Sequence, residues 1–542
     1  MVRLFDYFAF LCFLLVITGG FVLRIPHLYL DLSSVDTFAM IALVLFAFFH
    51  RRIAEKSKVY FFWNQDAFRE DTRPLSSFFW GVFGILFLAH VGKHWSLLTD
   101  GFDLTFLHQA LFHPFSHPFF STDMSHSGSM MGEHLVFSLV PLSIFTQFLR
   151  SDELIFLIQA LAVAVPLYFL LFKSALSSRI RAVLLVPVIL VLANASLRQS
   201  LIFDFREDSF AFLGLMISIL GSLNGKIAQY LLGFFIAILA KEHVFLITLA
   251  FSPILVLSRE IGFSKKTKWA LALFTALASV IYGALAFRIL IPYFNPTLQT
   301  SGTTIVLRLH QFGDTPNAIL ENILLHPINW FRLLGNFLSK DALLYLAKML
   351  VPLLPFLFFR EAFLFSVPGL VGMAINVFSG HHGQTSMQFH YDLVVFPFLF
   401  TGLCVGVWHQ YTEGFLRPSD PKRSQKALAC ILLAFCFSGK WPLFQLTHFF
   451  PTGAEIQARL ELLKLDHAIP VVTSVRLSAQ VTQHNELLIF DPKCDLANRQ
   501  LSIPTHGYLL VDPKDSSYEK CIPPPIDPPL FRNEEVAIYE FK

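Results

Sequence analysis

Apolar runs of about the length of a bilayer crossing, roughly 20 residues, recur through the first four-fifths of this chain. The mean hydropathy of +0.59 over 542 residues is too high for a soluble protein of this length. We therefore predict an all-α polytopic membrane domain with about 13 transmembrane helices. The predicted spans are residues 5–24, 36–50, 77–93, 153–173, 181–199, 209–223, 227–241, 243–258, 268–292, 342–359, 362–379, 391–411 and 426–442.

The distribution of Lys and Arg predicts how these spans are oriented, because short cytoplasmic loops are enriched in both residues. They are frequent in segments 51–73, 173–181, 258–268 and 412–426, whereas 94–134 and 380–392 contain none. The basic loops then all lie on the cytoplasmic side and the other two on the outer side, provided that the amino terminus is cytoplasmic and the apolar run 134–148 does not cross. The first span has no small-residue cleavage site, so we interpret it as an uncleaved anchor. This topology predicts a multi-pass membrane protein with a cytoplasmic amino terminus and an external carboxyl-terminal tail.

The tail differs in composition from the rest of the chain, and we place a domain boundary at residue 450. Residues 1–450 form the predicted membrane domain with an external loop at 94–133, and residues 451–542 form a small external α/β domain. In the tail, the helical segment AEIQARLELLKL precedes IPVVTSV, RLSAQVTQH, NELLIFD, GYLLVD and EVAIYEF, which predict strand, helix and three further strands. Cys494 and Cys521 lie in this tail and can pair only in an oxidising compartment.

The composition also limits the partners of the chain. The net charge is only +3, and no basic stripe is interleaved with aromatic residues. We therefore exclude nucleic acid as a partner, while the hydropathy requires the lipid bilayer.

The predicted topology places five polar clusters at the outer ends of membrane runs. Ionisable groups at such depth are costly unless they pair or line a wet cavity, so the clusters predict one outward-facing functional cavity. Taken singly, each cluster also fits an ordinary loop, and Lys241 and Glu242 could simply neutralise each other at a hairpin. The clusters are GFDLTFLHQ (101–109), GEH (132–134), FDFRED (203–208), KEH (241–243) and GHHGQTSMQFHYD (380–392).

Asp103 is the acid in the first of these clusters and has two interpretations. It can cap an interfacial helix, because a carboxylate at a helix start accepts the free amides of the first turn. It can equally act as a general base toward an acceptor hydroxyl, or hold a divalent cation. The residues that follow also allow a zinc site, although no HExxH or CxxC spacing occurs. They are His113, His117, Asp123, His126, Glu133 and His134.

The order of these elements resembles the GT-C class of membrane glycosyltransferases, and more specifically a family of predicted bacterial membrane proteins of unknown function grouped with that class. The family's short motifs match this chain except at two positions, where Arg206 replaces a His and His243 replaces an acid. The matching residues are Phe102, Asp103, Leu104 and Gln109; Gly132, Glu133 and His134; Asp204 and Phe205; Lys241 and Glu242; and His390, Tyr391 and Pro397.

The resemblance implies a transferase of the bacterial inner membrane, with its carboxyl-terminal domain in the periplasm. It would pass a sugar from a polyprenyl-phosphate carrier to a glycan, lipid or protein acceptor on the outer face. A phosphate leaving group needs cationic partners, for which Lys241 and Arg206 are candidates, although basic residues at span ends also snorkel toward lipid headgroups. A divalent cation as cofactor is left open. On this basis the catalytic candidates are Asp103, Glu133, His134 and Asp204, and the substrate-binding candidates are Gln109, Arg206, Lys241, Glu242, His243, His390 and Tyr391.

Two other functions fit a chain with buried ionisable groups. One is a transporter or flippase for a lipid-linked glycan, but such proteins tend to have internal repeats and midplane charges, and this chain has neither pattern. The other is a non-catalytic scaffold or metal sensor, which the histidine-rich loop allows. Segment 317–340 is amphipathic and broken at His326-Pro327, which is typical of helices that lie along a membrane surface.

Overall fold

The computed structural model describes most of the chain after residue 70 and a short hairpin before it. The first two predicted spans lie almost entirely outside the described residues, as do His126, His390, Cys494 and Cys521. The described residues are 22–25, 28–31, 71–99, 101–125, 127–295, 309–313, 316–387, 391–420, 422–437, 446, 448–490, 504–514 and 528–541.

The described part of the chain is mostly helical, and the predicted membrane domain is made of helices. Strands β1 (Val22–Ile25) and β2 (Leu28–Asp31) pair antiparallel before it. The helices up to residue 294 are α1 Arg73–Trp95, α2 Gly101–Phe112, α3 Val140–Phe148, α4 Asp152–Tyr168, α5 Ala175–Ile180, α6 Leu185–Leu192, α7 Ala195–Ile202, α8 Asp208–Leu223, α9 Ile227–Ile238, α10 Val244–Leu257, α11 Lys265–Leu285 and α12 Ile291–Phe294. Those that follow are α13 Pro316–Leu325, α14 Pro327–Phe337, α15 Lys340–Leu350, α16 Leu354–Leu357, α17 Arg360–Phe378, α18 His382–Thr385, α19 Phe396–Thr412 and α20 Arg423–Cys436.

Fewer helices than predicted are long enough to cross a bilayer. Among the described residues, four helical segments are sufficiently long and apolar, namely Arg73–Trp95, Asp152–Lys173, Lys265–Phe294 and Arg360–Phe378. A fifth is added if the bent pair Ala175–Val183 and Leu185–Leu192 forms one span. The predicted count of thirteen is therefore not confirmed. The reason is that several predicted spans fold into helices shorter than the roughly 20 residues that a perpendicular crossing needs.

The run 134–148 folds into two short pieces rather than one span. A 3₁₀ turn covers Phe137–Leu139, and α3 continues for nine residues from Val140 to Phe148. Such a helix is about 14 Å long, which is under half of the hydrocarbon thickness. That this run does not cross stays a prediction. The predicted break at His326-Pro327 is confirmed, since α13 ends at Leu325 and α14 begins at Pro327.

Local sequence accounts for the position of the long helix α4, which carries a residue important below. Ser151 precedes it, and the Ser151 hydroxyl accepts a hydrogen bond of 3.3 Å from the Leu154 amide. Asp152 and Glu153 occupy the first turn, where the helix dipole favours negative charge. These three residues set the amino-terminal end of α4.

The tail contains the predicted α/β unit. Helix α21 (Gly453–Leu462) precedes β3 (Val471–Ser474), the one-turn helix α22 (Val475–Ser478), β4 (Leu487–Phe490), β5 (Gly507–Val511), β6 (Phe531–Arg532) and β7 (Ala537–Phe541). The strand order is β4-β3-β5-β7-β6, with β3 parallel to β4 and β5 and with β7 antiparallel to β5 and β6. The predicted order of elements is confirmed. The two-residue edge strand β6 was not predicted.

The sheet is not separated from the rest of the molecule by a gap. One hydrophobic cluster joins Leu104 and Leu107 of α2 to Leu477 of α22 and to Leu487 and Ile489 of β4. As a result α2 is buried from Leu104 to Phe112, between the membrane helices and the sheet. It is therefore not the exposed interfacial helix that the capping interpretation of Asp103 assumed. The boundary at residue 450 stays a prediction.

Candidate functional site

The helix that carries Asp103 is held in place by the carboxyl-terminal region. A Cβ atom at Gly101 would lie 1.5 Å from the carbonyl oxygen of Val475, so only glycine allows this approach. The Ser478 hydroxyl lies 3.1 Å from the Gly101 carbonyl oxygen and 2.9 Å from the Thr105 hydroxyl. Helix α22 therefore contacts the first turn of α2, and Asp103 projects from that turn.

The Asp103 carboxylate forms an ion pair with the guanidinium group of Arg206. The Asp103 side chain is 27% exposed, whereas that of Arg206 is 7% exposed. Arg206 lies in the connection between α7 and α8, and its backbone amide donates a hydrogen bond of 2.8 Å to the Gln159 side chain of α4. Asp103 is thus the accessible member of the pair, and Arg206 is the anchored one.

A more deeply buried set of charges continues from Arg206. Lys241 Nζ lies 2.6 Å from Glu207 Oε1 and 2.8 Å from Asp208 Oδ2. On the other side of Lys241, Glu242 Oε1 lies 3.0 Å from His134 Nδ1. Buried charges of this kind are strongly destabilising unless they are paired. These five residues are therefore paired with one another inside the fold.

The charges in this set determine the ionisation of its carboxyl groups. Burial alone would raise the pKa of Glu207, but Lys241, His134 and Arg206 together lower it well below its usual range. Burial likewise opposes ionisation of Glu242, and the neighbouring His134 lowers the pKa of Glu242 to about 2. Both groups are therefore carboxylates at neutral pH. Asp103, Glu207 and Tyr391 raise the pKa of Arg206 despite its burial, so it stays a cation.

A second ion pair lies beside the first. Lys93 Nζ, at the end of α1, is 3.1 Å from Oδ1 of the fully buried Asp204. Lys93 Nζ lies 5.3 Å from the centre of the Phe203 ring, and Arg206 Cζ lies 5.9 Å from the same centre. The two cations therefore flank one aromatic ring, and each is paired with a carboxylate.

The structure brings together most of the candidates predicted from the sequence. Asp103, Arg206 and Lys241 belong to the charge network described above, with Asp204 joined to it through Lys93 and Phe203. His134 and Glu242 form its far end, and Tyr391 is close enough to raise the pKa of Arg206. His243 is half-buried and interacts electrostatically with Lys241 and Glu242.

Three other candidates are not placed in the network. Gln109 donates a hydrogen bond of 2.5 Å to Asp123 Oδ2, and Asp123 in turn accepts a bond of 2.9 Å from the Leu487 amide of β4. Gln109 therefore joins the loop that carries Asp123 to the sheet. The Glu133 side chain has no hydrogen-bond or ion-pair partner among the residues that the structure describes. His390 lies outside the described residues. Their assigned roles stay predictions.

The residues that suggested a zinc site do not converge in the described part of the chain. His113 contacts the backbone oxygen of His484 at 3.2 Å, while Asp123 bonds to Gln109, and His134 bonds to Glu242. No group of three or more His, Cys, Asp or Glu side chains among the described residues is arranged to hold a metal ion. The divalent cation stays an open prediction.

Sequence reasoning missed Lys93, Glu207 and Asp208. Glu207 and Asp208 belong to the FDFRED cluster that marked the site, so their acidic type and position were available signals. Lys93 gave a weaker signal, as a single basic residue at the outer end of a predicted span. A basic residue at that depth needs a carboxylate partner, and Asp204 provides it only after the chain has folded.

Comparison with known proteins identifies the family of this chain. Residues 93–523 match the model of a family described as predicted membrane proteins, DUF2079. The chain belongs to the DUF2079 family. The match begins at Lys93 and includes Asp103, Arg206, Lys241 and Tyr391. The family suspected from the order of the short motifs, a family of predicted membrane proteins, is thus confirmed.

Solved structures similar to this DUF2079 protein include two of ArnT from Cupriavidus metallidurans. The structure bound to undecaprenyl phosphate has a TM-score of 0.44 and 11% sequence identity, and the match covers 86% of this chain and 97% of the other. The apo structure has a TM-score of 0.44 and 12% identity, covering 84% and 97%. No curated protein matches this chain.

Proposed function

We propose that this DUF2079 protein is a membrane glycosyltransferase that moves a sugar from a polyprenyl-phosphate carrier to an acceptor hydroxyl on the outer face of the membrane. The observation that supports it most is the ion pair between Asp103 and Arg206. It places a partly exposed carboxylate beside a buried cation at the edge of a charge network, as transfer from a phosphate donor requires. The resemblance of the sequence motifs to GT-C enzymes points to the same reaction.

In this reaction Asp103 is the general base. Its carboxylate takes the proton of the acceptor hydroxyl while the acceptor oxygen attacks the anomeric carbon of the sugar. The bond between that carbon and the phosphate oxygen breaks, and the electron pair leaves with the polyprenyl phosphate. The negative charge that develops on the phosphate needs a fixed cation nearby, and Arg206 is held for this role by Gln159.

The deeper charges support the reaction indirectly. Lys241, with Glu207 and Asp208 as contacts, holds the connection that carries Arg206. His134 and Glu242 extend this support to the external loop. We assign these residues to positioning, because the groups that would meet the donor and acceptor lie nearer Asp103.

The proposal is tested with purified protein and a total extract of polyprenyl-phosphate-linked sugars, so that the sugar need not be known. The readout is release of polyprenyl phosphate, detected by mass spectrometry. Asp103→Asn keeps the shape but removes the base, and we expect turnover to fall by about 100-fold or more, as for the loss of a general base. The matched control is Asp341→Asn, an acid that is 53% exposed and pairs with His382.

The expected result is normal turnover for Asp341→Asn and lost turnover for Asp103→Asn, with similar thermal unfolding midpoints for both. Wild-type turnover by Asp103→Asn would overturn the assignment of the base. Retention of bulk phospholipid alone in the purified protein, with no polyprenyl phosphate, would count against the carrier.

A further inference from the structure

We infer that Lys93 and Arg206 together form a subsite for a phosphate group, and that a phosphate bound there releases Asp103 from Arg206. This inference rests on the proposed function and specifies which cations receive the donor phosphate. It also assigns the ion pair between Asp103 and Arg206 to the resting state of the protein.

The first support is the geometry of the two cations. Lys93 Nζ and Arg206 Cζ lie 5.3 Å and 5.9 Å from the centre of the same Phe203 ring. They come from separate elements, the end of α1 and the connection between α7 and α8, and lie near the same ring only in the folded protein. Lys93 contacts Asp204, two residues before Arg206, so both cations lie beside the same short connection. Two cations beside one connection provide positive charge for an oxyanion.

The second support is an incomplete set of hydrogen bonds on Arg206. Its side chain is only 7% exposed, and its Nε atom has no hydrogen-bond partner among the described residues. A buried guanidinium N–H normally has an acceptor, because an unpaired buried donor is destabilising. An oxygen of a bound phosphate is an acceptor of the right charge for this position.

Lys241, the cation favoured from the sequence, is a poorer candidate for this role. It is in contact with two buried carboxylates, at 2.6 Å to Glu207 and 2.8 Å to Asp208. Taking it from both would leave two buried negative charges without their partner. Arg206 pairs instead with Asp103, whose side chain is 27% exposed, so a phosphate that displaces Asp103 leaves that carboxylate in contact with solvent. Lys93 has three N–H donors and can contact a phosphate while it keeps its contact with Asp204.

The ion pair with Arg206 also limits what Asp103 can do before the donor binds. The carboxylate oxygen that contacts the guanidinium group is occupied by that contact and cannot receive the acceptor hydroxyl at the same position. A phosphate on Arg206 competes for the same cation and, as it binds, pushes the carboxylate toward the exposed side. Binding of the donor thus converts Asp103 from a counter-ion into a base.

The test measures binding of polyprenyl phosphate to the full-length protein in detergent, by thermophoresis or a thermal shift. Because Asp103 competes with the phosphate, we expect Asp103→Asn to bind polyprenyl phosphate roughly five-fold more tightly than the wild type, as loss of a part-exposed ion pair implies. Lys93→Gln and Arg206→Gln should weaken binding by about ten-fold or more. Arg206→Lys keeps the charge and guards against misfolding of Arg206→Gln.

The matched controls are Asp341→Asn, which removes an exposed acid, and Lys226→Gln, which removes an exposed base. Neither should change binding. Polyprenol without phosphate should not bind, which shows that the phosphate is recognised. Inorganic phosphate distinguishes the source, because equal affinity for inorganic phosphate would identify free phosphate rather than a lipid headgroup as the ligand.

The outcomes separate this inference from the proposed function. If Asp103→Asn binds no more tightly than the wild type, competition at Arg206 is wrong, while its turnover still tests the base. If Lys93→Gln binds like the wild type, the two-cation subsite is wrong. If polyprenyl phosphate does not bind the wild type at all, both the inference and the proposed carrier are wrong.

Discussion

Arg459, in helix α21 near the carboxyl terminus, donates a hydrogen bond of 2.8 Å from Nη2 to Oδ2 of Asp152 at the start of membrane helix α4. Each side chain is only 1% exposed. His108 Nδ1 and His94 Nε2 contact the same carboxylate at 2.7 Å and 3.2 Å. This buried cluster ties the tail to α1, α2 and α4, and so to the helix that carries Asp103.

Arg459→Met is expected to destabilise the protein, because it leaves Asp152 buried without its cation. The expected loss is about 3–5 kcal/mol, as for other broken buried ion pairs. It should appear as a lower midpoint of thermal unfolding in detergent and as faster proteolysis of the tail. Lys464→Met removes the exposed ion pair with Glu461 in the same region and serves as the control. Equal midpoints for the two variants would contradict a supporting role for Arg459.

Gly101→Ala is expected to separate α2 from α22. The added methyl group would lie 1.5 Å from the Val475 carbonyl oxygen, so one of the two backbones must move. Movement of α2 displaces Asp103, and we expect turnover to fall at least ten-fold, as misplacement of a catalytic group by about 1 Å does. Gly84→Ala in α1 is the matched control, because nothing lies within 4 Å of its added methyl group. Unchanged turnover for Gly101→Ala would show that the contact is not needed.

Lys241→Met tests whether the deeper charges depend on one another. The variant leaves Glu207 and Asp208 buried without their shared cation, and we expect about 3–5 kcal/mol of destabilisation. Adding Glu207→Gln removes one of the two stranded charges and should recover part of this loss. The measurement is a double-mutant cycle on thermal unfolding. Additive effects of the two substitutions would mean that Lys241 and Glu207 do not interact.

We expect the stability of the protein to depend on pH because His484, in the tail, is buried. Burial lowers the pKa of His484 to about 4, and its Nδ1 lies 2.9 Å from the Ile469 carbonyl oxygen. The unfolded chain, with an ordinary histidine pKa near 6.5, binds a proton between these values that the folded chain does not. Stability therefore falls as the pH drops from about 6.5 to about 4.

His484→Gln should reduce this dependence when unfolding is followed at several pH values. Burial also lowers the pKa values of His113 and His467, so part of the slope should remain. The control His326→Gln replaces an exposed histidine in the connection between α13 and α14. If the free energy of unfolding fell more steeply with decreasing pH in His484→Gln than in the control, the prediction from burial would be wrong.

Labelling of single cysteines checks the predicted orientation of the loops. Phe115→Cys and His382→Cys lie on segments without Lys or Arg and should react with an impermeant thiol reagent in intact cells. Ser178→Cys lies in a basic segment and should react only after permeabilisation. All three positions are at least partly exposed, and the background is the same chain with its six cysteines replaced. Reaction of all three in intact cells would refute the topology.

Much of the architecture follows from local pattern in the sequence. Hydropathy identifies a membrane protein, and alternating short apolar runs identify the strands of the tail, because both depend on residues within one element. The number of spans did not follow in the same way. The apolar runs 227–241 and 243–258 each look like one crossing in the sequence. Their helices end at Ile238 and Leu257 and are shorter than a perpendicular crossing needs. Between them, Lys241 pairs with Glu207 and Glu242 with His134.

The amino-acid sequence alone determined that acids, imidazoles and cations such as Asp103, Arg206 and Lys241 gather at the ends of apolar runs. Only the tertiary structure decided which of them meet. Asp103 is paired with Arg206, and Lys93 is paired with Asp204. Asp152 is paired with Arg459, which lies 307 positions later in the chain. The physical reason is that a charge selects its partner by distance and burial after the helices have packed, and neither quantity is written in the local pattern around either residue.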